Sequence, residues 1–175
     1  MQNKLVYKVG DLISAAANNE VQVIAHGCNC LCTMGSGIAP LIKSAFPYAY
    51  EADCKTRKGD KLKLGSFTVG DPEHYGYSSG PLVFNLYSQY NYTGRKNGLR
   101  DLDYNALYDA LDLMAFELQC YALGEDLKVG LPLIGCGLAG GDWRIVSRMI
   151  ESTLLKSGFN VTIYTLKDIE LWLKE

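Results

Sequence analysis

Two glycine-bearing segments hold most of the residues in this chain that could do chemistry. Residues 26–39 read HGCNCLCTMGSGIA, and residues 132–143 read PLIGCGLAGGDW. Each follows a predicted strand and leads into a predicted helix. Glycine lets main-chain N–H groups approach a phosphate closely, and the first turn of a helix adds unpaired donors and the positive end of its dipole. Two such loops in one chain favour a binding site for a diphosphate.

Neither segment is a standard nucleotide fingerprint. Residues 35–37 read GSG and lack the Lys and the Ser or Thr that complete a P-loop. Gly135, Gly137 and Gly140 fit the dinucleotide spacing GxGxxG, but no βαβ unit follows them. Such glycines can also serve a tight turn alone. The presence of two loops is what favours a site.

The cysteines indicate neither a metal site nor a disulfide framework. The chain has six of them, and Cys28, Cys30 and Cys32 alternate along the first segment. Zinc sites usually space paired cysteines by two to four residues and need a second pair of ligands, which the sequence lacks. We therefore expect free, buried thiols, with no bound metal and no cofactor.

Length and charge restrict the class of protein. With 175 residues, 48% of them hydrophobic, the chain is long enough for one buried core, so we expect a single domain spanning residues 1–175. A net charge of −2 argues against binding to a nucleic-acid backbone. There is no apolar run of about 20 residues, as a membrane helix needs, and no signal-peptide core at residues 1–5. We therefore expect no membrane partner and a cytoplasmic location.

Predicted strands and helices alternate along the chain, which favours an α/β protein. Apolar patterns indicate strands at residues 5–9, 21–25, 65–69, 82–87, 127–133 and 161–166. Helical spacing indicates helices at residues 11–17, 37–46, 47–55, 103–121, from 146 to before Gly158, and 168–174. Gly124 is expected to end the longest helix, and residues 71–80 and 91–100 are predicted loops. This order predicts a three-layer α/β/α fold with a mixed, largely parallel central sheet and ligands at the carboxyl ends of its strands.

Taken together, these segments resemble the macrodomain family, whose members are α/β/α modules that bind ADP-ribose. The resemblance covers nearly the whole chain: a Gly-Asp pair at residues 10–11, the loop at residues 29–39, the loop at residues 134–143, and a last strand that carries Tyr164. HGCNC, MGSGIA and GCGL with a following Trp are most similar to the branch that contains the yeast-type ADP-ribose 1″-phosphate phosphatase and the terminal ADP-ribose glycohydrolases.

The resemblance implies a place for each part of ADP-ribose. Asp11, with Leu12 beside it, would lie at the adenine, where a carboxylate accepts a hydrogen bond from the exocyclic amine, and Tyr164 would pack on the ring. A helix cap by Asp11 and a core position for Tyr164 are the structural alternatives. Asn29 would contact the distal ribose. The ribose and diphosphate would lie between the main chains of the two loops, at Gly35, Ser36, Gly37, Ile38, Gly135, Cys136, Gly137 and Leu138.

Departures from the family pattern bear on the activity. The glycohydrolases that this chain resembles carry a lysine nucleophile and an aspartate at positions that match Gln89 and Ala139, and neither an amide nor a methyl group can take those roles. His26 matches a histidine of the phosphatase-like members, and an ordinary pKa near 6.5 suits proton transfer. A satisfied polar position in the core is the alternative for His26.

The resemblance therefore implies a metal-independent phosphatase that converts ADP-ribose 1″-phosphate into ADP-ribose and phosphate. Its candidate catalytic residues are His26, which would activate water or protonate the departing oxygen, Asn29, which would position the ribose, and Asp142, if the second loop folds back. A hydrolase that removes ADP-ribose from adducts and a protein that binds ADP-ribose without catalysis are the alternatives.

Overall fold

The computed structural model describes residues 4–122 and 126–174, in which six strands are interspersed with helices. The strands are β1 (Val6–Val9), β2 (Val23–Asn29), β3 (Phe67–Gly70), β4 (Leu82–Gln89), β5 (Lys128–Leu131) and β6 (Asn160–Thr165). The α-helices are α1 (Leu12–Ala17), α2 (Ala39–Ala45), α3 (Pro47–Cys54), α4 (Tyr104–Ala122), α5 (Trp143–Ile150) and α6 (Ile169–Trp172). Two 3-10 turns (Lys61–Lys63 and Gly94–Asn97) and a π-helical turn (Glu151–Leu155) complete them.

The sheet is mixed and largely parallel, as the sequence predicts. Its strand order is β1-β6-β5-β2-β4-β3, and all neighbouring pairs are parallel except β3 with β4. The carboxyl ends of the five parallel strands therefore lie at the same edge of the sheet. The loops that follow these strands meet there.

Helices cover both faces of the sheet, which gives the predicted three-layer α/β/α arrangement. On one face α4 and α5 pack over a core that includes Phe84, Leu111 and Val146. On the other face α1, α2 and α3 pack over a core that includes Ile24 and Ile42. Within the described ranges, none of these helices combines the length and the apolar composition needed to span a bilayer.

β2 departs most from its predicted extent. The sequence predicts a strand that ends at residue 25, whereas β2 continues to Asn29, with a bulge before its last residue. The polar His26 is accommodated in the sheet because it lies opposite Asn85 of β4, which binds its imidazole. His26 and Asn29 are therefore fixed on a strand and not in the loop that follows it.

Other boundaries differ by a few residues from their predictions. α5 begins at Trp143 and not at residue 146, because the Asp142 side chain accepts a hydrogen bond from the Arg144 N–H and caps the helix. The predicted end of the longest helix, Gly124, lies outside the described residues.

Candidate functional site

A cleft of about 990 Å³ opens at the carboxyl ends of β2, β4 and β5. We call residues 30–38 the first loop, residues 132–142 the second loop, and residues 90–102, which connect β4 to α4, the rim segment; all three line the cleft. Most of the predicted site residues lie in its lining: His26, Asn29, Gly35, Ser36, Gly37, Ile38, Gly135, Gly137 and Leu138.

Both loops present unpaired main-chain donors to this cleft. The N–H groups of residues 35–38 donate to no group in the described chain, and the same is true of Gly135, Gly137 and Leu138. Main-chain N–H groups without an internal partner are suited to binding the oxygens of an anion. The arrangement thus places unpaired donors on both loops that line the cleft.

The backbone conformation favours glycine at Gly37 and Gly135, whereas Gly137 could accept a side chain. Gly37 has φ +63°, and a Cβ there would lie 3.8 Å from Leu138 Cδ1, so the two loops face each other across the cleft. Gly135 has φ +72°, and a Cβ there would lie 2.9 Å from Leu102 Cδ1. At Gly137 nothing lies within 4 Å of the position that a Cβ would occupy. The fold itself therefore places no demand for glycine at Gly137.

His26 lies in the wall of the cleft and is only 1% exposed. Its Nε2 lies 2.8 Å from Asn85 Oδ1, while Asn85 Nδ2 donates to Ala49 O and Thr68 Oγ1. Because Asn85 offers His26 an acceptor, Nε2 carries the proton and Nδ1 keeps its lone pair. Burial lowers the pKa of His26 below its ordinary value of 6.5, which the Asn85 hydrogen bond opposes in part. The imidazole is therefore neutral near pH 7.

Asn29 also lines the cleft, and its amide closes the start of the first loop. Its Oδ1 accepts hydrogen bonds from the Leu31 N–H at 2.8 Å and the Thr33 hydroxyl at 3.1 Å. Its Nδ2 donates to Thr33 O at 3.1 Å and Thr33 Oγ1 at 2.9 Å. A ribose hydroxyl bound to Asn29 would therefore share this amide with Thr33.

Asp11, Leu12 and Tyr164 lie together at the ends of β1 and β6, outside the cleft lining. Asp11 is exposed and caps α1, with Oδ1 accepting from the Ile13 N–H at 3.0 Å and Oδ2 from the Ser14 hydroxyl at 2.9 Å. Each carboxylate oxygen keeps a second lone pair, so the cap leaves acceptor capacity for a ligand. Leu12 and Tyr164 are 3% and 6% exposed, and both belong to the core cluster beneath α1.

Two other predicted residues lie outside the lining. Cys136 is buried, which raises the pKa of its thiol to about 12, and its N–H donates to Leu133 O at 3.0 Å, so it is not one of the unpaired donors. The carboxylate of Asp142 caps α5 and binds the guanidinium of Arg144, with Nη2 2.7 Å from Oδ2. This ion pair lowers the pKa of Asp142.

The sequence prediction missed the side chains that the rim segment contributes. Tyr92, Arg95, Lys96 and Asp101 line the cleft, although residues 91–100 were expected to be only a polar loop. Trp172 of α6 lines it as well. The available signal was an adjacent pair of cations in a glycine-bearing segment that directly follows a strand ending at the site.

The three alternating cysteines on β2 and the first loop contact different groups. Cys28 contacts His26, Cys30 contacts Gln89 O, and Cys32 contacts Asp53 O and Lys63 Nζ. All six cysteines are unpaired, but the expectation of buried thiols is wrong for Cys54 and Cys120, which are exposed. Among the residues that the structure describes, no three His, Cys, Asp or Glu side chains form a group that could hold a metal ion.

Comparison with known proteins identifies relatives of this chain. The family model of the Macro domain matches residues 25–150. A 17.5 kDa uncharacterised protein of Enterobacteria phage T4, from the tk-vs intergenic region, is 36% identical over 149 residues, which cover 83% of this chain and 87% of that protein. The ADP-ribose 1″-phosphate phosphatase of Meyerozyma guilliermondii is 26% identical over 94% of this chain and 99% of its own length. The human ADP-ribose glycohydrolase OARD1 is 26% identical over 94% of this chain and 93% of its own length.

A solved structure agrees with these matches. The macrodomain protein from Streptomyces coelicolor superimposes with a TM-score of 0.67 at 28% identity, over 93% of this chain and 99% of that chain. The family model spans both glycine loops and most of the chain. The chain belongs to the Macro domain family.

Proposed function

We propose that this protein binds ADP-ribose derivatives in the cleft and hydrolyses ADP-ribose 1″-phosphate to ADP-ribose and inorganic phosphate. The observation that carries the proposal is the pair of glycine loops, whose unpaired N–H groups at residues 35–38 and at Gly135, Gly137 and Leu138 face one cleft. Such donors suit a diphosphate. Relatives that cover nearly the whole chain are hydrolases of ADP-ribose derivatives by their names.

Two cleft residues favour phosphatase over glycohydrolase chemistry. Gln89 and Ala139, the positions at which the resemblance places a lysine nucleophile and an aspartate, both line the cleft. An amide does not form a covalent adduct with a sugar carbon, and a methyl group does not transfer a proton. Removal of ADP-ribose from adducts through a lysine intermediate is therefore disfavoured.

His26 is the proposed proton acceptor. Its imidazole is neutral and keeps the Nδ1 lone pair, which suits a base better than an acid. Water would attack the phosphorus, His26 Nδ1 would take a proton from that water, the P–O bond would break, and the sugar oxygen would leave as a hydroxyl after protonation by solvent. The loop N–H groups would neutralise charge on the substrate, and Asn29 would position the ribose.

Release of inorganic phosphate from ADP-ribose 1″-phosphate tests this function. We expect turnover that survives a chelator and that falls about 10²–10⁴-fold in His26→Ala, the range typical of general acid–base help. The affinity for ADP-ribose should change much less, because main-chain donors carry ground-state binding. His74→Ala is the matched control, since His74 is exposed and outside the cleft lining. Turnover that the chelator abolishes, or that His26→Ala leaves unchanged, would contradict this mechanism.

Binding without catalysis is the second candidate function, and one observation favours it. His26 is 1% exposed, and the amide of Asn29 is engaged with Thr33, so neither side chain is freely presented to a ligand. The same assay separates the two functions. A wild-type protein that binds ADP-ribose and releases no phosphate would be a binding module.

A further inference from the structure

The rim segment is a closed turn whose two ends are held together. The Gly94 N–H donates to both carboxylate oxygens of Asp101, at 2.8 and 3.0 Å. The Leu99 N–H donates to Gly94 O at 2.9 Å, and Gly98, with φ +71°, donates to Arg95 O. A Cβ on Gly94 would lie 2.5 Å from Asp101 Oδ1, so the close approach requires glycine. This turn fixes the backbone that carries Arg95.

The rim segment is also bound to the second loop and to β4. The N–H groups of Asp101 and Leu102 both donate to Ala139 O, at 3.1 and 3.0 Å. The Asp103 N–H donates to Ser88 O at 2.9 Å. The backbone of the rim segment is therefore held in place against the loop that presents the unpaired N–H donors.

The rim segment brings an excess of positive charge to the cleft. Arg95 and Lys96 are exposed, line the cleft and have no ion-pair partner among the described residues. Asp101 is the carboxylate in the same lining, and both of its oxygens accept from Gly94. The chain as a whole has a net charge of −2. The cleft lining therefore carries a net positive charge on a chain of net negative charge, which makes this charge a local feature.

Strand order places these cations far from the adenine end that the proposed function assigns to Asp11 and Tyr164. Asp11 follows β1 and Tyr164 lies on β6, whereas Arg95 and Lys96 follow β4. The order β1-β6-β5-β2-β4 puts four strand spacings, roughly 19 Å, between β1 and β4. With adenine at β1 and the diphosphate between the loops, the distal ribose lies at the β4 end.

We propose that Arg95 and Lys96 form a phosphomonoester subsite, which makes the protein prefer ADP-ribose phosphorylated on its distal ribose over ADP-ribose itself. The inference rests on the proposed function, because the orientation of ADP-ribose decides which group faces the rim segment. In the proposed complex the loop N–H groups bind the diphosphate. Arg95 and Lys96 are therefore left to bind a further anionic group of the ligand. A guanidinium binds phosphate oxygens in a bidentate way, and an ammonium adds a compact charge.

A charge-neutralised double variant tests the subsite. Arg95→Gln/Lys96→Gln is compared with Lys58→Gln/Lys156→Gln, which removes the same charge at exposed positions outside the cleft lining. Affinities for ADP-ribose and ADP-ribose 1″-phosphate are measured by calorimetry, the ester in the His26→Ala background, where its turnover is slow. The KM from initial rates of phosphate release in proteins that retain His26 gives a second measure of the same preference.

We expect the rim variant to lose roughly 10–100-fold in affinity for the 1″-phosphate, as expected for lost charge-assisted hydrogen bonds. Its affinity for ADP-ribose should stay within about 3-fold of the parent, and the control pair should bind both ligands like the parent. An equal loss for both ligands, or no loss for the ester, would overturn the subsite, while binding of ADP-ribose by the parent protein would still support the proposed function. A parent protein that binds neither ligand would overturn the proposed function and the subsite together.

Discussion

The charge of His26 depends on its immediate surroundings. The ring is buried, its Nε2 donates to Asn85 Oδ1, and the Cys28 thiol lies 3.4 Å from that nitrogen. Burial is the largest influence and lowers the pKa of His26, because a protonated ring would lose its hydration. The group that we propose as a base is therefore also a group whose protonation opposes folding.

The free energy of unfolding should consequently depend on pH near the ordinary histidine pKa. The unfolded chain takes up a proton at His26 near pH 6.5, whereas the folded chain stays neutral to lower pH, so the unfolded state binds more protons in that window. The stabilisation is complete above pH 6.5 and is lost as pH falls toward the folded-state pKa. Urea unfolding between about pH 7 and about pH 5 should show a slope that approaches 1.4 kcal/mol per pH unit at most.

His26→Gln is the matching variant, because a glutamine amide can still donate to Asn85. It should lack the contribution of His26 to the slope, while the exposed His74 is common to both proteins. Identical slopes in the variant and the parent would show that His26 binds protons equally in the folded and unfolded chains, so that folding does not lower its pKa.

Gly137 tests whether the second loop contacts the ligand. A Cβ there meets nothing within 4 Å and no left-handed φ opposes a side chain, so Gly137→Glu should fold like the parent. The added carboxylate would project beside the unpaired N–H groups and repel a diphosphate, so the affinity for ADP-ribose should fall at least about 10-fold. Gly137→Ala is the size control and should bind close to the parent level. Parent-like binding by Gly137→Glu would remove the second loop from the phosphate site.

Among the helices, strands and loops, the sequence predicts those whose backbone is specified by a local pattern, either periodic apolar residues or spaced glycines. Leu107, Leu111 and Leu118 recur at helical spacing, and all are 0% exposed on α4. The two glycine loops were predicted for the same reason, since the unpaired N–H groups that they present come from short, contiguous segments. The end of β2, however, differs from its prediction. Asn85, which is distant in sequence, binds the imidazole of His26 and so keeps this polar residue in the strand.

The rim segment was not predictable in this way. Its shape depends on the bond between Gly94 and Asp101 and on the hydrogen bonds of Asp101 and Leu102 to Ala139, which is far along the chain. Nothing in the local pattern of residues 91–100 reveals those contacts. The placement of Arg95 and Lys96 at the cleft follows from tertiary structure, which explains why a polar loop was the most that the sequence indicated.

Asp11 caps the start of α1, and two substitutions there can separate this capping role from a role in ligand binding. Asp11→Ala removes both the cap and the acceptor, and loss of such a cap costs about 1 kcal/mol. Asp11→Ser keeps a good N-cap and removes the carboxylate, so its thermal midpoint should stay near that of the parent. If the carboxylate binds the adenine amine, both variants should lose discrimination between ADP-ribose and its hypoxanthine analogue in calorimetry. Unchanged discrimination in Asp11→Ser would leave Asp11 with the cap alone.

For the whole molecule, the parallel strands bring separate sequence segments to one edge in the order in which an extended ligand would meet them. The ends of β1 and β6 carry Asp11 and Tyr164, the loops after β2 and β5 carry the unpaired N–H groups, and the rim segment after β4 carries Arg95 and Lys96 at the cleft. This order makes the cleft, together with the adjoining ends of β1 and β6, suitable for a long anionic ligand on a chain of net negative charge.

Calorimetric titration of the protein with ADP-ribose tests this account most directly. We predict saturable binding of one ADP-ribose per chain at submillimolar concentration, and a marked loss of affinity in Gly137→Glu. No heat of binding at millimolar ADP-ribose, from protein shown by circular dichroism to be folded, would contradict the assignment of the cleft.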